Sequence, residues 1–196
     1  TALANQGSTI LPLFVYDEIN LRRLGGASRW WLHNALERLI NQYQDLGCRL
    51  QLVHENTLDV VKGVADSGQF KEISFHVSYD PDPQHRYLVQ QIRELGFAVK
   101  VYNTNQLFKV GSVLNQQGNV YKVFTPFYKS LKQRTEEWLD GSENLYKEYA
   151  FSDFEVKNSV QLGQLRLLPT QGWDSEMIQY WDPSRTAKWY WQRFLD

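Results

Sequence analysis

The chain has 196 residues, and its 21 Lys and Arg against 22 Asp and Glu leave a net charge of −1. This length can bury one sizeable core, and the balanced charge gives no sign of a primary nucleic-acid surface. A single cysteine, Cys48, excludes a disulfide framework, and no signal peptide or apolar run of about 18 residues appears, so a cytoplasmic location is expected. The aromatic share of 14% favours flat ligands, buried interfaces or both.

In chain order, the first half alternates apolar strands with helices across short, glycine-containing joints. Such alternation implies right-handed crossovers and an α/β fold, a doubly wound parallel sheet with helices on both faces. A helix is predicted over Leu58–Ala65, and another begins with Asp82 as its N-cap and Pro83 in its first turn. The predicted strands are Ile10–Tyr16, Leu50–Val53, Ile73–Val77 and Ala98–Tyr102.

The longest predicted helix lies in the stretch Leu24–Leu46, where apolar residues recur with the helical period and Gly47 is suited to a left-handed ending. Ser28 is the predicted N-cap, because its hydroxyl can accept from an amide of the first turn. The adjacent Trp30 and Trp31 point about 100° apart on a helix. Both are most simply packing residues; alternatively, one lines a cleft at the helix N-terminus, where anionic or flat ligands tend to bind.

The beginning of the chain departs from the usual doubly wound pattern. Thr1–Gln6 is typical of the last turns of a helix, with no strand before it. A doubly wound sheet commonly places its first strand centrally, between the second and the fourth to appear. We therefore expect the sheet to lack that strand, and either the gap to be filled or the protein to self-associate.

After the strand ending at Tyr102 the alternation stops. We expect Lys122–Phe124 to be extended, a helix to begin after Pro126, and Phe124 and Phe127 to be core residues. The long stretch Asp140–Trp173 shows no strong periodicity, and connections of this length are normally functional or wrap another domain.

The tail Trp181–Asp196 is predicted to be a helix with Asp182 as N-cap and Pro183 at its first position. Its aromatic side chains have no later partner in the chain. The predicted organisation is therefore an α/β domain over 1–139, an interdomain connection over 140–180, and the first helix of a further domain over 181–196.

Chemical motifs are few. The four histidines show no metal-ligand spacing, and no GxGxxG, GxxxxGK[ST] or GxSxG motif occurs. In open α/β sheets the ligand crevice lies beyond the carboxyl ends of the strands. Aromatic rings and acceptors at that edge would suit a flat heterocycle, and the alternative is a solvated acidic rim. The residues there favour a ligand-binding domain without catalytic machinery: Tyr16, Asp17, Glu18, His54, Glu55, Tyr79, Asp80 and Asn103.

Several segments resemble the N-terminal domain of the DNA photolyase/cryptochrome family. They occur in the order and spacing of that family from about Ile10 to Phe127, and WDPSRTAKWYWQRFL near the end is similar to the entry into the helical flavin domain of the family. The segments that carry the resemblance are LPLFVYDE, LGGASRWWLHNALERL, YDPDP and GNVYKVFTPFYK.

The resemblance implies a Rossmann-like domain that binds a light-harvesting antenna chromophore, which is a folate, a deazaflavin or a flavin. It also implies a full-length, light-driven lyase that splits pyrimidine dimers in damaged DNA with FAD held in a C-terminal helical domain. The 196-residue chain alone is expected to be inactive and to hold no FAD. The resemblance assigns chromophore binding to Phe14, Asp17, Glu18, Ser28, Arg29, Tyr102 and Asn103.

The sequence also departs from the family pattern. Many relatives carry the antenna arginine where this chain has Ser28, and folate-type members carry a glutamate near Val101. Two alternatives to a photolyase stay open. One is a cryptochrome-type photoreceptor, which uses the N-terminal domain in the same way, and the other is a stand-alone nucleotide-binding α/β module.

Overall fold

The computed structural model describes residues 9–69, 74–78, 82–102, 111–133, 150–181, 191–192 and 194. These residues form short strands and helices, joined by loops and 3₁₀ turns. The strands are β1 (Thr9–Ile10), β2 (Leu13–Val15), β3 (Gln51–Val53), β4 (Ser74–Ser78), β5 (Ala98–Tyr102), β6 (Ala150–Phe151) and β7 (Ser159–Val160). The helices are α1 (Gly26–Asp45), α2 (Thr57–Asp66), α3 (Pro83–Glu94), α4 (Phe124–Lys132) and α5 (Met177–Tyr180).

The predicted α/β class with parallel strands is confirmed. Strand β2 runs parallel to β3, and β4 runs parallel to β5 over five paired residues. Within the described ranges the strands form three separate sheets, in the orders β1-β6, β2-β3-β7 and β4-β5. The antiparallel pairing of β7 with β3 was not predicted, since β7 belongs to the stretch that shows no periodicity in sequence.

The first predicted strand, Ile10–Tyr16, is interrupted. The structure has β1 and β2 on either side of Leu11 and Pro12, because proline has no N–H with which to continue a ladder. The Pro12 carbonyl instead accepts from the Gln51 amide at 3.0 Å. The segment before Pro12, β1, therefore pairs with β6, and the segment after it, β2, pairs with β3.

The N-cap prediction for Ser28 is wrong. Helix α1 begins at Gly26 with Gly25 as its N-cap, no side chain caps it, and Ser28 lies exposed within the first turn. The predicted ending is correct: Gly47 has φ of 73°, and its amide donates to the Gln44 carbonyl at 2.9 Å. A left-handed glycine in this position satisfies the last carbonyls of the helix.

The two adjacent tryptophans separate as helical geometry requires. Trp30 is only 1% exposed, whereas Trp31 is 43% exposed. The Trp30 indole Nε1 donates to the carboxylate of Asp174 at 3.1 Å, which ties the segment after residue 170 to α1. One tryptophan is therefore an anchor between distant parts of the chain, and the other lies at the surface.

Local capping signals fix the next two helices. The Asn56 side chain accepts from the Leu58 amide at 2.9 Å at the start of α2. The predicted cap of α3 is confirmed, because Asp82 accepts from the Gln84 amide at 2.8 Å and Pro83 is the first helical residue. Strand β5 has the predicted bounds.

The core lies in layers on both sides of β3. Leu50 and Leu52 face α1, whereas Val53 faces α2, as the two-residue period of a strand requires. A third cluster joins α2 and α3 to β4 and β5. The buried members of the three clusters are Tyr16, Leu36, Leu50, Leu52, Leu165 and Leu167; Val53, Val60, Val64 and Val156; and Val61, Leu88 and Ile92.

Two predictions for the segment around Pro126 are wrong. Helix α4 starts at Phe124, ahead of the proline, which can occupy the first turn because its missing N–H has no intrahelical partner there. Phe124 is 71% exposed and stacks on Tyr128 with ring centroids 5.6 Å apart, while Phe127 is half-buried against Tyr121. These aromatic contacts are local to α4 and the loop before it.

The stretch after residue 150 packs onto the α/β core. The buried Gln51 side chain accepts from the Val156 amide at 2.6 Å and donates to the Phe154 carbonyl, so it binds this segment to β3. Leu165 and Leu167 are each only 2% exposed. Within the described residues, no helix is long and apolar enough to cross a membrane. Several predictions lie outside the described residues, namely those for Thr1–Gln6, Tyr79, Asp80, Asn103, Asp182 and Pro183.

Candidate functional site

A cleft opens at the carboxyl ends of β2 and β3, where the crevice of an open α/β sheet is expected. Its volume is about 610 Å³, and we call it the main cleft. The strand ends supply Tyr16, Glu18 and His54, the first turn of α1 supplies Arg29, and residues 163–166 form the opposite wall.

A second space of about 250 Å³ adjoins the first turn of α1, and we call it the side chamber. Arg29 and Arg166 line both the main cleft and the side chamber, so the two arginines mark the boundary between them. Gly26 and Trp173 also line the side chamber. A Cβ added at Gly26 would come within 3.3 Å of the Trp173 ring, so the absence of a side chain permits this close approach.

One buried donor of the main cleft, Arg29 Nε, has no hydrogen-bond partner among the described residues. The Tyr16 hydroxyl is buried in the same cleft, beside the Glu18 carboxylate. Tyr16 is 6% exposed and its ring centroid lies 5.0 Å from that of His54, with the planes tilted by 43°. Burial, then the negative charge of Glu18 and a side-chain hydrogen bond to its carboxylate, raises the pKa of Tyr16, so the hydroxyl stays protonated at neutral pH.

The acidic side chain of the main cleft is already paired. Glu18 lies 3.4 Å from Arg23 Nε and 3.4 Å from His54 Nε2. Arg29 and Arg166, by contrast, form no ion pair within the described part of the chain. The side chains that line the boundary between the two spaces without an ion-pair partner among the described residues are therefore positively charged.

Asp17 has a structural role beside the cleft. Its carboxylate accepts from the Ile19 and Asn20 amides and the Asn20 side chain at 2.8–2.9 Å, and from the Thr57 amide and hydroxyl at 2.8 and 2.7 Å. Burial alone would raise the pKa of Asp17, but the hydrogen bonds from Asn20 and Thr57 lower it to about 2. The side chain joins the loop after β2 to the first turn of α2.

The structure brings two of the sequence-predicted residues, Glu18 and Arg29, into the lining of the main cleft. The others lie elsewhere: Phe14 packs in the core against α1, Asp17 is the hydrogen-bonding centre just described, and Ser28 is exposed on α1. Tyr102 ends β5 in a different sheet. Asn103 lies outside the described residues.

Sequence reasoning missed Arg166 and Trp173. Arg166 follows a 3₁₀ turn with φ of 50° and ψ of 43°, a left-handed conformation that is unusual for a residue with a side chain. No local motif indicates this turn, and the only signal was the apolar run around it. Among the described residues, no group of three or more His, Cys, Asp or Glu is arranged to hold a metal ion.

The structure is an α/β domain with a cleft at the carboxyl ends of two parallel strands. The sequence pattern of the family described as "DNA photolyase" matches residues 1–144 of the chain. The chain therefore belongs to the DNA photolyase family.

Individual relatives agree with this assignment. The chain is 24% identical over 191 residues to the deoxyribodipyrimidine photo-lyase of Agrobacterium fabrum (strain C58), covering 95% of this chain and 39% of that protein. It is 30% identical over 139 residues to cryptochrome-1 of Arabidopsis thaliana, covering 65% of this chain and 20% of the relative. The chain thus spans well under half the length of these relatives.

A solved structure shows the same fold. The crystal structure of a bacterial class III photolyase from Agrobacterium tumefaciens superposes with a TM-score of 0.71 and 22% sequence identity, over 92% of this chain and 37% of that one. The described elements therefore have the architecture of the N-terminal α/β region of that protein.

Proposed function

We propose that this chain is the chromophore-binding, light-harvesting domain of a photolyase that repairs pyrimidine dimers in DNA. The observation that carries the proposal is the main cleft, where the buried Arg29 Nε has no hydrogen-bond partner among the described residues. Buried polar groups in native proteins are almost always satisfied, so an unsatisfied donor in a cleft favours a polar ligand there.

The lining fits a flat heterocycle such as a folate, a deazaflavin or a flavin. The volume of about 610 Å³ lies in the range of small-molecule sites. The hydroxyl of Tyr16 can donate or accept, and the Arg29 guanidinium can only donate, which suits the carbonyl oxygens and ring nitrogens of such molecules. The bound group would supply absorption of light and transfer of its excitation energy to a flavin.

The residues around Tyr16 and Arg29 hold the cleft open and fix its charge. The Glu18 carboxylate is held between Arg23 and His54, and the His54 ring packs beside Tyr16. This pairing leaves the donors of Arg29 available to a ligand. The protein's part is thus to bind and orient the heterocycle and to keep water away from one of its faces.

The wider activity follows from family membership and is part of the proposal. The family generally binds FAD and an antenna chromophore, and a relative named deoxyribodipyrimidine photo-lyase matches nearly the whole chain. Repair of damaged DNA would depend on FAD in a helical domain, as expected from the sequence, so the chain alone is expected to leave dimers intact. The matches to cryptochromes make a blue-light photoreceptor the second candidate.

Titration of the chain with a flavin, a deazaflavin and a folate, followed by ligand fluorescence, tests the proposal. We expect one of them to bind, and Tyr16→Phe to weaken binding about threefold to tenfold, the value of one net hydrogen bond. Tyr43→Phe is the control, because Tyr43 is a half-buried tyrosine of α1 that does not line the cleft. Failure of all three to bind, or equal weakening by both variants, would contradict the proposal.

A further inference from the structure

We infer that α4 and the loop before it form a docking surface for an acidic amphipathic helix of a partner protein. None of residues 111–133 lines the main cleft or the side chamber, so the inference does not depend on the proposed function. It rests on the short length of α4, on its exposed apolar side chains and on the charge of the region.

Helix α4 is too short to be stable without packing. It has nine residues, and none of them is buried. Isolated helices of fewer than about 12–15 residues are marginal in water, and most helices in proteins are stabilised by packing of an apolar face. We therefore expect a partner to cover part of this helix.

Exposed apolar side chains occur together on and beside α4. Phe124 is 71% exposed and Tyr128 is 44% exposed, and their rings stack one helical turn apart. Val120 and Val123, which precede the helix, are 61% and 63% exposed. We call these four side chains the α4 surface. Apolar groups that are exposed together, rather than singly, indicate a surface that binds a protein or a lipid.

The loop before α4 is ordered in advance of binding. Leu114 and Val120 form an antiparallel bridge, and the side chain of Asn115 accepts from two backbone amides of the turn between them, at 2.9 and 3.0 Å. Tyr121 contacts Phe127 with the ring centroids 6.2 Å apart, which joins the loop to the helix. A preformed surface loses little conformational freedom on binding, and this favours affinity.

The charge of the region favours an acidic partner. Between Glu94 and Glu136 the sequence has six Lys and Arg and no Asp or Glu, whereas the rest of the chain has 15 Lys and Arg against 22 Asp and Glu. Lys122, Lys129 and Lys132 are exposed on or beside α4. A second copy of the same surface would bring lysines against lysines. A helix with carboxylates beside its apolar stripe complements both the lysines and the α4 surface.

Single-stranded nucleic acid is the other polyanion that could meet these lysines. Bases would stack on Phe124 and Tyr128, but Val120 and Val123 have no ring face on which a base can stack. The aliphatic half of the α4 surface therefore favours a protein partner.

Three designed peptides of about five helical turns test the inference on the whole chain. The first has leucines at the helical period and glutamates elsewhere. The second has the same composition without that period, and the third has lysine in place of each glutamate. In fluorescence anisotropy we expect the first to bind with a Kd of about 10–300 µM, as small interfaces do, and at least about tenfold more tightly than the other two.

Phe124→Ala and Lys129→Gln separate the apolar part of the surface from the charged part. Phe124→Ala should weaken binding of the first peptide about tenfold, as loss of an aromatic anchor does. Lys129→Gln should weaken it about twofold to threefold, and less at about 0.5 M NaCl. The matched controls are Tyr87→Ala on α3 and Lys62→Gln on α2, which remove an exposed tyrosine and an exposed lysine and should leave binding unchanged.

Several results would overturn the inference. They are equal binding of the three peptides, a Kd above about 3 mM for the first, and equal losses for Phe124→Ala and its control. Tighter binding of a thymidine oligonucleotide or of phosphatidylserine vesicles than of the first peptide, abolished by Phe124→Ala, would assign the surface to nucleic acid or lipid instead. Self-association of the chain that Phe124→Ala abolishes would assign it to a second copy.

Discussion

Replacing Asp17 by asparagine should destabilise the domain by about 2–3 kcal/mol at pH 7. The carboxylate is 4% exposed and accepts five hydrogen bonds, from the amides of Ile19, Asn20 and Thr57 and from two side chains. The difference between the ordinary pKa of 3.8 and the value of about 2 is worth about 2 kcal/mol of folding free energy. An asparagine amide would also turn an N–H₂ group toward donors that need an acceptor.

The pH dependence has a definite sign. Because the pKa of Asp17 is lower in the folded state, its contribution is complete above about pH 4 and is lost as the pH falls toward about 2. Urea unfolding followed by tryptophan fluorescence, repeated between pH 7 and pH 2.5, measures the difference between wild type and Asp17→Asn. That difference should shrink markedly over this interval.

The control for this experiment is Asp66→Asn, which alters an exposed carboxylate at the end of α2. It should change the free energy of unfolding by less than about 0.5 kcal/mol. A loss of under about 0.5 kcal/mol for Asp17→Asn, or a loss that is the same at pH 7 and pH 2.5, would refute the structural role given to this carboxylate.

Two further substitutions test how the stretch after residue 150 is held. Gln51→Leu removes the acceptor of the Val156 amide and the donor to the Phe154 carbonyl, which leaves two backbone groups unpaired, so urea unfolding should show a loss of about 2–4 kcal/mol. Trp30→Phe removes the hydrogen bond to Asp174 and leaves a small void, for an expected loss of about 1–3 kcal/mol and faster proteolysis after residue 170.

Exposed positions on α1 provide the matched controls. Gln44→Leu and Trp31→Phe change an exposed glutamine and an exposed tryptophan of α1 and should each have an effect under about 1 kcal/mol. If either control lost as much unfolding free energy as its buried counterpart, the hydrogen bonds of Gln51 and Trp30 would not explain the loss.

Local chemistry explains which parts of the fold could be predicted. The Asp82-Pro83 pair caps α3 through neighbouring atoms, and the alternation of β5 is contained within one strand, so both are visible in sequence. Ser28 failed as an N-cap because α1 extends three residues further toward its N-terminus, where Gly26 packs against the distant Trp173. A contact across that separation has no local signature.

The candidate site divides in the same way. Glu18 and Arg29 follow a strand and begin a helix, positions from which the general rule for α/β crevices predicts them. Arg166 has a left-handed backbone conformation and lies between two buried leucines. These leucines pack against α1, which is far away in sequence, so only the three-dimensional structure shows that Arg166 reaches the cleft.

The central claim is that a chromophore binds in the main cleft, and nuclear magnetic resonance of the ¹⁵N-labelled chain tests it most directly. On addition of the heterocycle that binds best, the amide signals of residues 163–166 and of Arg29 should shift and saturate together. Signals of β4 and β5, which lie in a separate sheet, should stay in place. Saturating shifts confined to β4 and β5, with residues 163–166 unmoved, would contradict the account.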